Sequence, residues 1–148
     1  MVDRSRKALA GVKVVECATF VAGPFCAKLL ADFGAQVIKI EQPGKGDESR
    51  RWGPFPGDIP HPEKSGLFLY LNTNKFGITL DLKTTTGQGI FKKLIKLADI
   101  LVEDNPPGEM NRLGLSYQSL REINTGLTMT SITPFGQTGP YKDYKASD

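Results

Sequence analysis

Histidine occurs once in these 148 residues, as His61, and cysteine twice, as Cys17 and Cys26. A lone histidine leaves no His pair for a zinc or iron centre. Two cysteines make neither a disulfide framework nor a thiolate metal site. Both sit in apolar stretches and read as reduced, buried thiols. Long apolar runs are absent as well. No segment approaches the ~20 residues needed to span a bilayer, and no apolar signal core follows the charged opening. Nor is there much charge of one sign. Nineteen Lys and Arg against 16 Asp and Glu leave a net charge of +3. That excess is too small to imply nucleic acid, and no basic cluster is interleaved with aromatics. The expectation is a soluble cytoplasmic chain with no bound metal, no nucleic-acid partner and no membrane.

What is present suits one folded domain. Apolar residues make up 39% and charged residues 24%, and a chain of this size buries roughly 70% of its unfolded surface. Strand and helix patterns alternate. Residues 12–17 (VKVVEC) form a β-branched run. An apolar-periodic stretch to Phe33 follows, with Phe25, Cys26, Leu29, Leu30 and Phe33 on one helical face. Pro24 suits its first turn, and Gly34 suits its end. Residues 36–41 (QVIKIE) read as the next strand, giving a right-handed β-α-β unit. Further strands are expected at 77–82, 100–103 and 127–133. Helices are expected at 84–98, with Ile90, Leu94, Ile95 and Leu97 on or near the core side, and at 116–124, with Ser116 as N-cap. The fold class is α/β: a Rossmann-like, open, mostly parallel sheet with flanking helices. Ligands on such sheets bind beyond the carboxyl ends of the strands.

Residues 42–64 break this rhythm. They hold five of the ten prolines, four glycines, the tryptophan and the histidine, and read as a long surface excursion of the kind that is functional or disordered. Within it Gly44-Lys45-Gly46-Asp47 reads as an exposed turn. Arg50-Arg51-Trp52 reads either as an anion clamp or, favoured, as a solvated loop anchored by Trp52. The loop after the first strand has only Gly23 of the three glycines a dinucleotide fingerprint requires. Anion binding at the helix start and simple close packing are then even readings. Lys83 at a strand end could meet a phosphate, but by position alone a surface lysine is favoured. Asp104 could contact ligand or cap a turn. No Ser-His-Asp set, Cys-His pair or facing carboxylate pair is present.

Several segments in order resemble one family. They are residues 10–16 (AGVKVVE), 22–25 (AGPF), 30–35 (LADFGA), 37–41 (VIKIE), 74–75 (NK), 80–83 (LDLK), 98–103 (ADILVE), 112–114 (RLG) and 135–140 (FGQTGP). Together they are similar to the N-terminal part of the class III CoA-transferases, the formyl-CoA and carnitine CoA-transferases, over about residues 9–148. The α-methylacyl-CoA racemases share much of the pattern. The resemblance implies that residues 1–148 are a partial large domain, the N-terminal CoA-binding part of a longer, interlocked homodimer. It implies acyl-CoA and a carboxylic acid acceptor as substrates, with coenzyme A as the carried group and no permanently bound cofactor. Catalysis in the family runs through an aspartate that attacks the thioester. That aspartate lies beyond Asp148, so no catalytic residue is assigned here and the chain alone is expected to be inactive.

The resemblance also carries contact positions for CoA. Val21 and Ala22 match the first-loop contacts, and Gln42 falls where some relatives place arginine. Leu80, Asp81, Leu82 and Lys83 match a strand-end segment beside the nucleotide. Asp104, Asn105 and Pro106 match the next strand-end turn, with Asp104 where asparagine is usual and Asn105 where an aromatic ring is common. Arg112 matches a phosphate-side arginine. Tyr144, Lys145, Ala146 and Ser147 match a late contact segment. Aligned from Phe135-Gly136-Gln137, the racemases' base histidine falls at Ser147, and serine cannot take an α-proton near neutral pH. The transferase is therefore favoured, with a racemase or a non-catalytic CoA-binding fragment as alternatives.

Overall fold

The computed structural model describes residues 7–146. Five strands run in chain order: β1 Lys13–Cys17, β2 Gln36–Glu41, β3 Phe76–Thr79, β4 Ile100–Glu103 and β5 Thr128–Ser131. All pair in parallel, in the order β3-β2-β1-β4-β5. The order reverses at β1, between β2 on one side and β4 on the other, and this is the topological switch point where open α/β sheets take their ligands. The helices are α1 Ala22–Asp32, α2 Gly66–Leu71, α3 Thr85–Ile95, α4 Glu109–Arg112 and α5 Tyr117–Ile123. Among the described residues no helix is long and apolar enough to cross a membrane.

Because side chains alternate along a strand, the central strands feed two cores. Val14, Val37 and Val102 pack on one face with Ala27 and Ala31 of α1. Val15, Ile40 and Leu101 pack on the other face with Phe91 and Ile95 of α3 and Leu120 of α5.

The helix faces differ from the sequence expectation. α1 buries Gly23, Pro24, Ala27 and Ala31, so a stripe of small residues at four-residue spacing lies on the sheet. A Cβ on Gly23 would sit 2.2 Å from the Ala18 Cβ. That close approach turns Phe25, Leu29 and Phe33 outward, with Phe33 57% exposed. In α3 the buried positions are Gly87, Phe91 and Ile95, whereas Ile90 and Leu97 are exposed. In α1 spacing identified a helix but chose the larger residues over the smaller ones that the sheet admits, whereas in α3 Ile95 and Leu94 do face the core and Phe91 joins them.

The ends follow local chemistry. Gly34, at φ 108°, closes α1, with its amide bonded to the Ala31 carbonyl and the Ala35 amide to that of Leu30, the paired bonds of a Schellman ending. Ser65, Thr84 and Ser116 cap α2, α3 and α5 through their hydroxyls. α4 is one turn, entered through Gly108 at φ 83°, and is too short to leave a periodic signal. Residues 80–82 lie past β3. The Leu80 amide still donates to the Glu41 carbonyl, and the chain then turns on Asp81. Cys17 and Cys26 are unpaired and only partly buried.

Candidate functional site

At the carboxyl ends of β1 to β4 lies a groove of about 160 Å³. Its walls include Cys17 and Thr19 after β1, Gln42 after β2, Leu80 to Lys83 after β3, and Asn105 after β4, with Glu109 and Leu113 closing one side. Six of the sequence-nominated positions, Gln42, Leu80, Asp81, Leu82, Lys83 and Asn105, therefore line one cavity. Val21 and Ala22 begin α1 just beyond Thr19. Pro106 follows Asn105, and Arg112 ends α4, 77% exposed and paired with Glu109. Tyr144, Lys145 and Ala146 lie exposed in the segment after β5, outside this groove. There Tyr144 packs its ring on Phe135 and Tyr141. Ser147 falls outside the described residues. A larger cavity, about 450 Å³, lies between α4, α5 and β5, but Pro106 is the one nominated residue in its wall.

The Leu80–Lys83 segment has a fixed shape. The Asp81 side chain accepts the Lys83 amide at 2.9 Å, and the Thr84 hydroxyl donates to the Asp81 carbonyl at 2.9 Å. The Gln88 amide donates to the Leu82 carbonyl at 3.1 Å. A Cβ on Gly87 would lie 1.8 Å from the Asp81 carbonyl oxygen, so glycine is required for α3 to approach so closely. The Lys83 side chain is exposed and, among the described residues, has no carboxylate partner. Asn105 is less free. Its backbone and side-chain amides both donate to the buried Glu103 carboxylate, at 2.9 and 3.1 Å.

Beneath the β1–α1 loop is a feature that the sequence reading missed. Glu16, Lys39, Asp47 and Lys75 form a charge cluster whose side chains are nearly inaccessible to water. Lys39 Nζ lies 2.9 Å from Glu16 Oε1 and 2.6 Å from Asp47 Oδ2. Lys75 Nζ lies 2.8 Å from Glu16 Oε2. Two ammoniums thus face two carboxylates, and the cluster is neutral. Burial pulls Lys39 down, but Glu16 and Asp47 outweigh it and hold its pKa above the usual lysine range. Burial wins at Lys75, which is depressed in spite of Glu16. Asp47 is held below the carboxylate range because Lys39 and Ser49 outweigh its burial.

The excursion 42–64 is ordered by related pairings. Arg50 forks onto Glu41 at 2.7 and 2.8 Å and lies over the Phe68 ring at 3.6 Å. It also pairs with Glu63 at 3.1 Å, and Arg51 pairs with Glu48. Neither arginine is an open anion clamp. Trp52 does anchor the loop, with its ring 5.3 Å from that of Phe20. Asp47 is buried, not part of an exposed turn.

Asp104, for which the sequence leaves ligand contact and turn capping both open, bonds to the loop after β1. Val102 packs on the α1 face, and Asp104, two residues on, follows it there. Its Oδ2 accepts the Thr19 amide at 2.8 Å. Burial raises its pKa from 3.8 to about 6, against the opposing pull of that amide. Burial also raises the Cys17 thiol well above its usual value, with the Glu16 charge adding to it. Cys17 thus lines the groove as a thiol whose burial disfavours the thiolate.

The fold is that of an α/β protein of the doubly wound type, with a groove at the carboxyl ends of its strands and strand-end loops around it. Residues 9–148 match CoA-transferase family III, and the chain belongs to that family. It is 44% identical over 143 residues to the succinyl-CoA--D-citramalate CoA-transferase of Chloroflexus aurantiacus, covering 95% of this chain and 34% of that protein. It is 42% identical over 135 residues to the human succinyl-CoA:glutarate CoA-transferase, covering 90% and 30%. The crystal structure of a CAIB/BAIF family protein from Brucella suis superposes with a TM-score of 0.84 at 39% identity, covering 93% of this chain and 36% of that one. The chain thus spans about a third of the length of the relatives it matches.

Proposed function

We propose that this chain is the N-terminal, CoA-binding part of a cytoplasmic acyl-CoA:carboxylate CoA-transferase. The observation that carries this reading is the convergence of Gln42, Leu80 to Lys83 and Asn105 on one groove at the strand ends. The nucleotide end of CoA carries a 3′-phosphate and a pyrophosphate, so it needs cations and backbone amides at one place. Lys83 offers an ammonium there that has no carboxylate partner among the described residues, and Arg112 stands one helical turn from the groove wall at Glu109. Val21, Ala22, Asp104 and Pro106 belong to the loops that flank the groove. Lys145, with Tyr144, Ala146 and Ser147, would join from the segment after β5.

The chemical step follows from the family. An aspartate outside residues 1–148 attacks the acyl-CoA thioester carbonyl, expelling CoA thiolate and leaving an acyl-aspartyl anhydride. Thiolate returns to the aspartyl carbonyl and releases the donor acid, giving an aspartyl-CoA thioester. The acceptor carboxylate then attacks, and CoA passes on through a second anhydride. The residues of this chain hold the nucleotide throughout, and the working unit is a homodimer of the longer protein.

Calorimetry with CoA tests the reading. Loss of one charge-assisted contact costs ~1.5–3 kcal/mol, roughly 10- to 150-fold in affinity. Lys83→Ala and Arg112→Ala should each weaken binding within that range. Wild-type affinity in both variants would exclude the site. The isolated chain should not exchange labelled CoA between two acids, and an exchange abolished by a substitution within residues 1–148 would overturn the placing of the nucleophile.

A further inference from the structure

The buried charge cluster is costly, because each ion gives up its hydration and apolar replacements of the same shape are often no less stable. Stability alone therefore does not explain it, whereas its contacts with the backbone do. Lys39 Nζ donates to the Ala18 carbonyl at 2.9 Å. Asp47 Oδ1 accepts the Phe20 amide at 3.1 Å. Lys75 Nζ donates to the Pro24 carbonyl at 2.8 Å. These three points bracket the β1–α1 loop. Phe20 between them holds φ 64°, a left-handed conformation that a bulky residue adopts only when its surroundings impose it.

We infer that Asp47 is a positioning residue for the CoA loop: carried in by the excursion and fixed by Lys39, its carboxylate sets the conformation in which Thr19, Val21 and Ala22 meet the ligand. The inference rests on the CoA reading of the groove. Asp47 is itself held by more than Lys39. Its Oδ1 also accepts the Ser49 amide and hydroxyl at 2.8 and 2.6 Å, and its amide donates to Glu41 at 2.8 Å. The excursion is therefore a strut, since the carboxylate that it sends to the loop is braced from both sides.

Two double variants isolate the acceptor. Lys39→Met with Asp47→Asn, and Lys39→Met with Asp47→Leu, both remove one positive and one negative charge and leave Glu16 paired with Lys75. They differ in that asparagine keeps an oxygen for the Phe20 amide and for Ser49, whereas leucine keeps none. By calorimetry with CoA, the leucine variant should bind about tenfold more weakly than the asparagine variant. The leucine variant should also exchange the Phe20 amide proton faster than the asparagine variant does. Equal CoA affinity in the two variants overturns the inference. If the leucine variant does not fold, exchange in the wild type decides. Protection of the Phe20 amide at the level of the β1 amides supports the inference, and exchange at the rate of an open loop overturns it. A wild type that binds no CoA refutes the CoA reading instead, and the Phe20 amide still tests whether Asp47 orders the loop.

Discussion

Asp104 and Thr19 tie the end of β4 to the loop after β1, with the Asp104 carboxylate accepting the Thr19 amide at 2.8 Å across the switch point. The bond spans the two strands whose divergence opens the groove. It also places the carboxylate on the α1 side, against the Thr19 backbone, while Asp104 itself is not part of the groove wall.

Stability should depend on Asp104 with a definite sign. The folded-state pKa is about 6 against an ordinary 3.8, so the folded chain binds the extra proton between those values. The stabilising contribution is complete below 3.8 and is lost as pH rises through 6. Asparagine keeps an oxygen for Thr19 and carries no charge. Asp104→Asn should raise Tm at pH 7.5 by about 3 °C, the shift that about 1 kcal/mol produces in a chain of this size. At pH 4 the variant and wild type should melt together. A lower Tm for the variant at pH 7.5 would contradict this account.

Gly87→Ala should destabilise, although alanine in place of glycine in a helix ordinarily gains about 1 kcal/mol. The new methyl would lie 1.8 Å from the Asp81 carbonyl oxygen, so α3 must shift and the Leu80–Lys83 turn must move with it. Urea unfolding should show a loss of about 1–3 kcal/mol, as for other overpacked sites, and CoA affinity should fall as well. Gly89→Ala, where nothing lies within 4 Å of the added carbon, serves as the control and should be neutral or stabilising.

Glu16→Gln should be among the most damaging single changes in the chain. Glu16 pairs with both Lys39 and Lys75, so its loss leaves two buried ammoniums facing one carboxylate. Breaking a buried pair from one side costs about 3–5 kcal/mol. Chemical denaturation at neutral pH measures it. Wild-type stability in the variant would mean that water already reaches the cluster.

The outward stripe of Phe25, Leu29 and Phe33 should make the isolated chain self-associate. Leu69 and Tyr70 of α2 are exposed as well, and Lys28 of α1 lies over the Tyr70 ring at 5.3 Å, so the two helices present one apolar patch. Patches of this kind drive association. Leu29→Glu with Phe33→Ser should shift the light-scattering mass toward monomer. Because both residues face solvent, stability should change by no more than about 0.5 kcal/mol each.

The alternating pattern was enough to read β1, β2 and β4, since parallel strands covered on both faces are apolar almost throughout. Helix faces were harder. Periodicity favours the large residues of α1, but the sheet accepts the Gly23-Ala27-Ala31 side because close approach outweighs side-chain size there. In the site, Gln42, the Leu80–Lys83 segment and Asn105 could be nominated by resemblance, and the topology brings them together. The charge cluster had a signal that went unused. Glu16 and Lys39 are charged residues inside strands buried on both faces, and such residues need partners. Asp47 and Lys75 could not have been matched to them from spacing, because they arrive from an irregular loop and from the turn before β3. From sequence Asp104 is either a ligand contact or a turn cap. Which side of the sheet it faces depends on the register of β4 against β1.

The strand order has a consequence for how the chain assembles as it is made. β1 is flanked by β2, which follows it closely, and by β4, which begins only at Ile100. At roughly 5–20 residues per second, the interval between completion of Glu41 and arrival of Ile100 at the ribosome lasts about 3–12 s. Throughout it the β1-α1-β2 unit carries an open edge on its central strand. The cluster under the loop is incomplete for part of the same interval, because Lys75 is among the residues still to come. A nascent chain paused between Glu41 and Ile100 therefore exposes the central strand as a template for a second chain, and the edge that β4 later fills is where misassembly would start.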